Sequence, residues 1–72
     1  MYKEGFGKRL KAARKKAGYT QQEITQQINI KQSQLSKIEN NQIEPNIELL
    51  GELIDFYEVS ADWIIGTGIK KQ

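Results

Sequence analysis

The chain has 72 residues, a formal net charge of +2, and neither cysteine nor histidine. This length makes one domain with a small core, and the missing residue types exclude disulfides, thiolate or imidazole metal ligands, and catalytic triads or dyads that need histidine. The sequence therefore predicts neither an enzyme nor a bound metal or cofactor, and no small-molecule substrate is evident. No apolar run is long enough to span a membrane and no secretory signal is present, so we expect a cytoplasmic protein without a membrane partner.

The predicted elements are all helical, because no segment alternates apolar and polar residues over the length of a strand. We expect five helices. The first spans about Lys3 to Lys16 and has Gly18 as its C-terminal stop. Its buried residues recur at helical spacing: Phe6, Leu10, Ala13 and Ala17.

The second predicted helix begins at Thr20, where the sequence Thr-Gln-Gln-Glu has the form of a capping box between Thr20 and Glu23. Ile24 and Ile28 form its buried stripe. Asn29 follows, and we expect it to reverse the chain in the left-handed conformation, which asparagine tolerates better than other residues with a side chain.

The third predicted helix runs from about Lys31 to Asn40, buries Leu35 and Ile38, and ends at the pair Asn40-Asn41. Lys31 stands where a capping serine or threonine is usual, so the helix lacks a side-chain cap and has a cation at its positive end.

The fourth predicted helix begins after Pro45, is capped by Asn46 and runs to about Tyr57, and the fifth extends from Ser60 to Gly66. The fourth is apolar over a wide arc, and one stripe would suffice for a core. The surplus indicates either a second buried neighbour or a self-association surface, and both remain open. One stripe contains Ile47, Leu50, Ile54 and Tyr57, and the other Leu49, Leu53 and Phe56.

We expect residues 1–66 to form the domain and residues 67–72 a flexible tail or the start of a linker.

Charge is divided unevenly along the chain. Residues 1–37 contain nine basic and two acidic residues, a net charge of +7, whereas residues 38–72 contain two basic and seven acidic residues, a net charge of −5. A protein polarised in this way can turn its basic half toward a polyanion. The alternative is that the basic residues only solvate the first helix, and charge alone does not decide between the two.

Three segments, in order and at the right distances, resemble the phage repressor and Cro type of helix-turn-helix domain, also called the xenobiotic-response-element family. They are residues 7–24 (Gly-Lys-Arg-Leu-Lys-Ala-Ala-Arg-Lys-Lys-Ala-Gly-Tyr-Thr-Gln-Gln-Glu-Ile), residues 34–40 (Gln-Leu-Ser-Lys-Ile-Glu-Asn) and residues 59–66 (Val-Ser-Ala-Asp-Trp-Ile-Ile-Gly). The resemblance implies a compact five-helix, repressor-like domain that sets its third helix in the major groove of double-stranded DNA. It also implies a homodimer on a two-fold related operator.

Several polar residues of the third helix are candidates for reading base edges. The amide of Gln32 can donate to N7 of adenine and accept from its amino group, a pair worth about 1 to 3 kcal/mol of discrimination. Ser33 and Lys37 match other base-facing positions of the family, and Lys37 favours guanine. Lys31 opens the helix beside them. The alternative is a plain solvated helix face.

The resemblance also assigns contacts to the DNA backbone, which fix the position of the protein without reading sequence. Thr20, Gln21 and Asn40 match phosphate-contacting positions, although Thr20 can equally act as a cap alone. Gln34 and Ser36 face phosphates or solvent, and Lys8 and Lys15 are the candidates in the first helix. Arg14 and Glu39 match a structural ion pair that ties the first helix to the end of the third.

Two functions follow. The first is a sequence-specific DNA-binding transcription regulator, acting as a repressor and a dimer, with Phe56, Trp63 and Ile65 as the expected dimer contacts. The second is a protein-interaction or antitoxin-like module, in which the apolar surface of the fourth and fifth helices binds another protein and DNA binding is secondary.

Overall fold

A computed structural model describes residues 4–66, and within this range the chain forms five α-helices and no strand. The all-helical, five-helix prediction is confirmed. No helix in this range is long and apolar enough to cross a membrane. The predicted tail at residues 67–72 lies outside the described residues. The helices are α1 (Phe6–Ala17), α2 (Gln21–Gln27), α3 (Gln32–Glu39), α4 (Ile47–Tyr57) and α5 (Ala61–Ile65).

Glycines bound α1 at both ends. Gly5 precedes it with a φ of 88°, and Gly18 follows it with a φ of 91° and donates its N–H to the carbonyls of Arg14 and Lys15. The stop at Gly18 is confirmed, but the start is corrected from Lys3 to Phe6, because the left-handed Gly5 interrupts the helical backbone. Lys3 itself lies outside the described residues. Ala17 is exposed rather than buried.

The capping box of α2 is present, since Thr20 Oγ1 accepts from the Glu23 N–H while the Thr20 N–H donates to Glu23 Oε1. The left-handed conformation predicted for Asn29 is wrong. The residues other than glycine with positive φ in the described range are Asn41 and Glu58. The N–H of Ile30 instead donates to the Ile28 carbonyl at 2.8 Å, closing a three-residue turn that reverses the chain at negative φ.

The remaining helix ends follow their local sequence. Lys31 occupies the N-cap position of α3 without a side-chain cap, and Asn41, with a φ of 62°, follows its end. Asn46 Oδ1 accepts from the Leu49 N–H to cap α4, and Ser60 Oγ accepts from the Trp63 N–H to cap α5. These predicted starts and stops are confirmed.

Most of the surplus apolar surface of α4 is used inside the fold. Leu50 and Leu53, one from each predicted stripe, are fully buried, and Phe56 packs against Tyr19 with ring centroids 4.9 Å apart. Ile47 departs from the prediction and is 74% exposed. The hydrophobic core contains Phe6, Leu10, Ala13, Ile24, Ile28, Ile30, Leu35, Ile38, Leu50, Leu53, Tyr57 and Ile64.

Candidate nucleic-acid interface

One face of α3 is polar and accessible. Leu35, Ile38 and Glu39 are buried on the opposite side, so the helix is anchored by its inner stripe. With 3.6 residues per turn, five polar residues occupy one continuous arc outside this buried stripe, and we term this arc the outer face. The outer face consists of Gln32, Ser33, Lys37 and Asn40, which are exposed, and Ser36, which is half-buried. The structure therefore brings the three base-reading candidates Gln32, Ser33 and Lys37 onto one surface, with exposed Lys31 preceding them.

A buried ion pair joins α1 to the end of α3. Arg14 Nε lies 2.7 Å from Glu39 Oε2, Arg14 Nη2 lies 3.1 Å from Glu39 Oε1, and both side chains are almost fully buried. The hydrogen bond to Glu39 raises the pKa of Arg14 above its usual value, although burial acts in the opposite direction. Arg14 Nη1 also donates to the Tyr19 carbonyl at 2.7 Å. This pair sets the position of α3 against the rest of the domain.

Gln21 connects the ion pair to the outer face. Its Nε2 donates to Glu39 Oε1 at 2.9 Å, and its Oε1 accepts from Gln32 Nε2 at 3.4 Å. The side chain expected to grip a phosphate is therefore also the partner of the side chain expected to read a base. Sequence reasoning did not foresee this connection, since 11 residues separate Gln21 from Gln32 and 18 separate Gln21 from Glu39.

A second link between α1 and α3 lies at Gly7. Its N–H donates to Asn41 Oδ1 at 2.8 Å, and a Cβ at Gly7 would lie 2.3 Å from the Ile38 carbonyl oxygen. Only a residue without a side chain allows this approach. Sequence reasoning missed the contact, although a glycine in the first turn of a helix is an available signal, because glycine disfavours helical structure.

The lysines of α1 fall on two sides of that helix. Gly7 and Arg14 contact α3, and Lys11 shares their stripe at the spacing i, i+4 and i+7. Lys8 and Lys15 are exposed next to this stripe, on the side of Lys11, whereas Lys16 lies further around the helix. Lys11 was not among the expected phosphate contacts. It lies three residues before Arg14, and this spacing, which places both on one side of α1, is the sequence signal that would have identified it.

Two expected phosphate contacts have surroundings of a different kind. Gln34 lies off the outer face, in a recess of about 300 Å³ that it shares with Glu48 and Glu52. The hydroxyl of Thr20 is engaged as the cap of α2, although it retains its own O–H to donate.

The three expected dimer residues do not share one surface. Phe56 is half-buried and lines a recess with Gln27 and Ile28, whereas Trp63 is 48% exposed and lines a separate one with Arg9. Ile65 is half-buried and packs against the core. Of the three, Trp63 therefore offers the largest accessible apolar surface.

Residues 10–64 match a protein-family model described as helix-turn-helix. The chain is also 45% identical over 61 residues to the HTH-type transcriptional regulator ImmR of Bacillus subtilis strain 168. The aligned region covers 85% of this chain and 48% of that protein, so the chain spans about half the length of the curated relative that it matches.

Proposed function

Because this chain belongs to the helix-turn-helix family of transcription regulators, we propose that it binds operator DNA by placing α3 in the major groove. The observation that carries the proposal is the outer face of α3, which is polar and accessible while the inner side is anchored in the core. A helix of this kind fits the width of the major groove, and side chains near its N-terminus meet base edges there.

Base recognition is assigned to the first two turns of α3. Gln32 pairs with adenine through its amide, Lys37 donates to guanine O6 and N7, and Ser33 donates or accepts between them. Lys31 contacts the bases or phosphates at the entry of the helix, where a nearby phosphate offsets the unfavourable position of its charge.

Phosphate contacts surround this surface. Gln21 and Thr20 contribute from the start of α2, Ser36 and Asn40 from the rim of the outer face, and the lysines from α1. Lys11 joins Lys8 and Lys15 in this group because it lies on the stripe that faces α3. Gln34 is left out, since the carboxylates of Glu48 and Glu52 beside it repel a phosphate.

The bound form is proposed to be a homodimer that represses transcription by occupying its operator. Trp63, 48% exposed, is the proposed centre of the contact between protomers. The alternative function, a protein-interaction module, receives less support, because most of the apolar surface of α4 that motivated it is packed inside the fold.

Selection of bound sequences from a random DNA pool tests the proposal. We expect a palindrome, or a single half-site if the domain binds as a monomer. The Gln32→Ala variant should lose preference at one base pair per half-site while keeping its nonspecific affinity, and Gln22→Ala, an exposed glutamine of α2, should lose neither. Recovery of no enriched sequence by the wild-type protein at low salt would refute the proposed function.

A further inference from the structure

The polar side chains between α1 and α3 form one directed chain of hydrogen bonds. Arg14 donates to Glu39, Gln21 donates to Glu39, and Gln32 donates to Gln21. The side chain of Glu39 is almost fully buried, so no exposed position is available to it as an alternative. The chain thus runs from the interior of the domain to the outer face of α3.

The direction of this chain is fixed by chemistry at its buried end. An ionised carboxylate only accepts hydrogen bonds, and an amide donates only through its nitrogen. Gln21 must therefore turn its Nε2 toward Glu39, which leaves its Oε1 facing Gln32. Gln32 in turn must present its own Nε2 to Gln21, because two amide oxygens facing each other repel.

We propose that Glu39, which touches no base, sets the base preference of Gln32. This inference rests on the proposed function and adds a role for the buried ion pair within it. With one N–H of Gln32 held by Gln21, its other N–H and its Oε1 remain to face the groove. That arrangement matches adenine, which offers N7 as acceptor and its amino group as donor. Guanine offers two acceptors, N7 and O6, and one of them meets the Gln32 oxygen.

Glu39 and Gln21 are therefore positioning residues, and two variants separate this role from a purely structural one. The Arg14→Met/Glu39→Met double variant removes the acceptor and its counter-charge together, a replacement that folded proteins tolerate better than the loss of one partner. Gln21→Met removes the link but leaves the ion pair intact. Gln22→Met is the matched control, one position along the same helix and exposed.

The measured quantity is the ratio of affinities for two operators that differ only in adenine or guanine at the base pair read by Gln32. We expect this ratio to fall about tenfold in both variants and to stay unchanged in the control. Loss of a phosphate contact by Gln21→Met would lower both affinities equally and leave the ratio intact. A ratio unchanged in both variants overturns the inference while the proposed function stands.

A measurement on the free wild-type protein needs no variant and no DNA. Side-chain amide resonances of ¹⁵N-labelled protein should show Gln21 held by the carboxylate, with slower hydrogen exchange than Gln22 and a distinct chemical shift. Equal exchange for the two glutamines would overturn the orientation by Glu39. If the wild-type protein prefers no DNA sequence, the proposed function fails and the inference fails with it.

Discussion

The backbone N–H of Gly7 donates to Asn41 Oδ1 at 2.8 Å, so the first turn of α1 is held by the residue that follows the end of α3. The backbone of Asn41 is itself left-handed, with a φ of 62°. Together with the Arg14–Glu39 pair, this contact holds α3 to α1 at two points. The orientation of the outer face therefore depends on α1 as much as on α2.

The same substitution at two glycines should have opposite effects. Gly7→Ala should lower the free energy of unfolding by about 1 to 3 kcal/mol, because its Cβ would overlap backbone oxygen of α3. The Cβ added by Gly51→Ala in α4 would meet no atom within 4 Å, so this variant should raise the free energy of unfolding by about 0.5 to 1 kcal/mol through helix propensity. Denaturant unfolding of both variants measures the difference, and a neutral Gly7→Ala would contradict the close approach.

These contacts also mark the limit of what the sequence alone predicts. Helix starts and stops such as Thr20, Asn46 and Gly18 are decided by hydrogen bonds within a few residues, so the local sequence is enough to predict them. The hydrogen bond from Gly7 to Asn41 spans 34 positions and depends on how α1 and α3 pack. The left-handed conformation predicted for Asn29 is wrong for a related reason. Asparagine favours turns in general, but this preference does not determine which type of turn the chain forms.

In the candidate site, the residues of the outer face were predictable and their connections were not. Periodicity places Ser33 and Lys37 on the accessible side of α3, and Gln32 was identified by its position at the start of the helix and by the family resemblance. Nothing in the spacing of Gln21 shows that its amide lies between Glu39 and Gln32, since that requires the relative position of α2 and α3. The Arg14–Glu39 pair was available only through the family resemblance.

Removal of one partner of the buried ion pair should cost more than removal of both. Glu39→Ala leaves the guanidinium of Arg14 buried without its counter-charge, and should lower the free energy of unfolding by about 3 to 5 kcal/mol. The Arg14→Met/Glu39→Met variant should lose much less, because apolar side chains of similar volume fill the space. Chemical denaturation followed by circular dichroism compares them, and equal losses would show that packing rather than charge dominates.

Replacement of Tyr57 by phenylalanine should stabilise the domain. Tyr57 Oη is buried and has no hydrogen-bond partner in the described part of the chain, so its removal should raise the free energy of unfolding by about 1 kcal/mol.

Burial also raises the pKa of Tyr57 above its ordinary value of 10.0. The unfolded chain therefore loses this proton first, and part of the wild-type stability should be lost as the pH rises above about 10. Tyr57→Phe has no phenol at this position, so it should not show this loss of stability at high pH. A variant less stable than the wild type would instead reveal a hydrogen bond from Tyr57 to an ordered water.

The two adjacent lysines of α1 should differ in their effect on DNA binding. Lys15 lies next to the stripe that faces α3, so Lys15→Gln should weaken binding to all sequences alike and reduce the salt slope by about 0.9. Lys16 lies on another side of α1, so Lys16→Gln makes the same charge change with a smaller effect. Fluorescence anisotropy at several salt concentrations gives both slopes. Equal reductions would mean that the lysines act through net charge rather than through phosphate contacts.

The proposed dimer contact at Trp63 can be tested against a second exposed apolar residue. Trp63→Glu places a charge in the proposed interface, where its desolvation should shift the protein toward monomer in sedimentation experiments. Ile47→Glu makes an equivalent change at a side chain that is 74% exposed and should leave the mass distribution unchanged. Circular dichroism checks that both variants remain folded. If the wild-type protein is dimeric and Ile47→Glu alone dissociates it, the interface lies at the start of α4 instead of at α5.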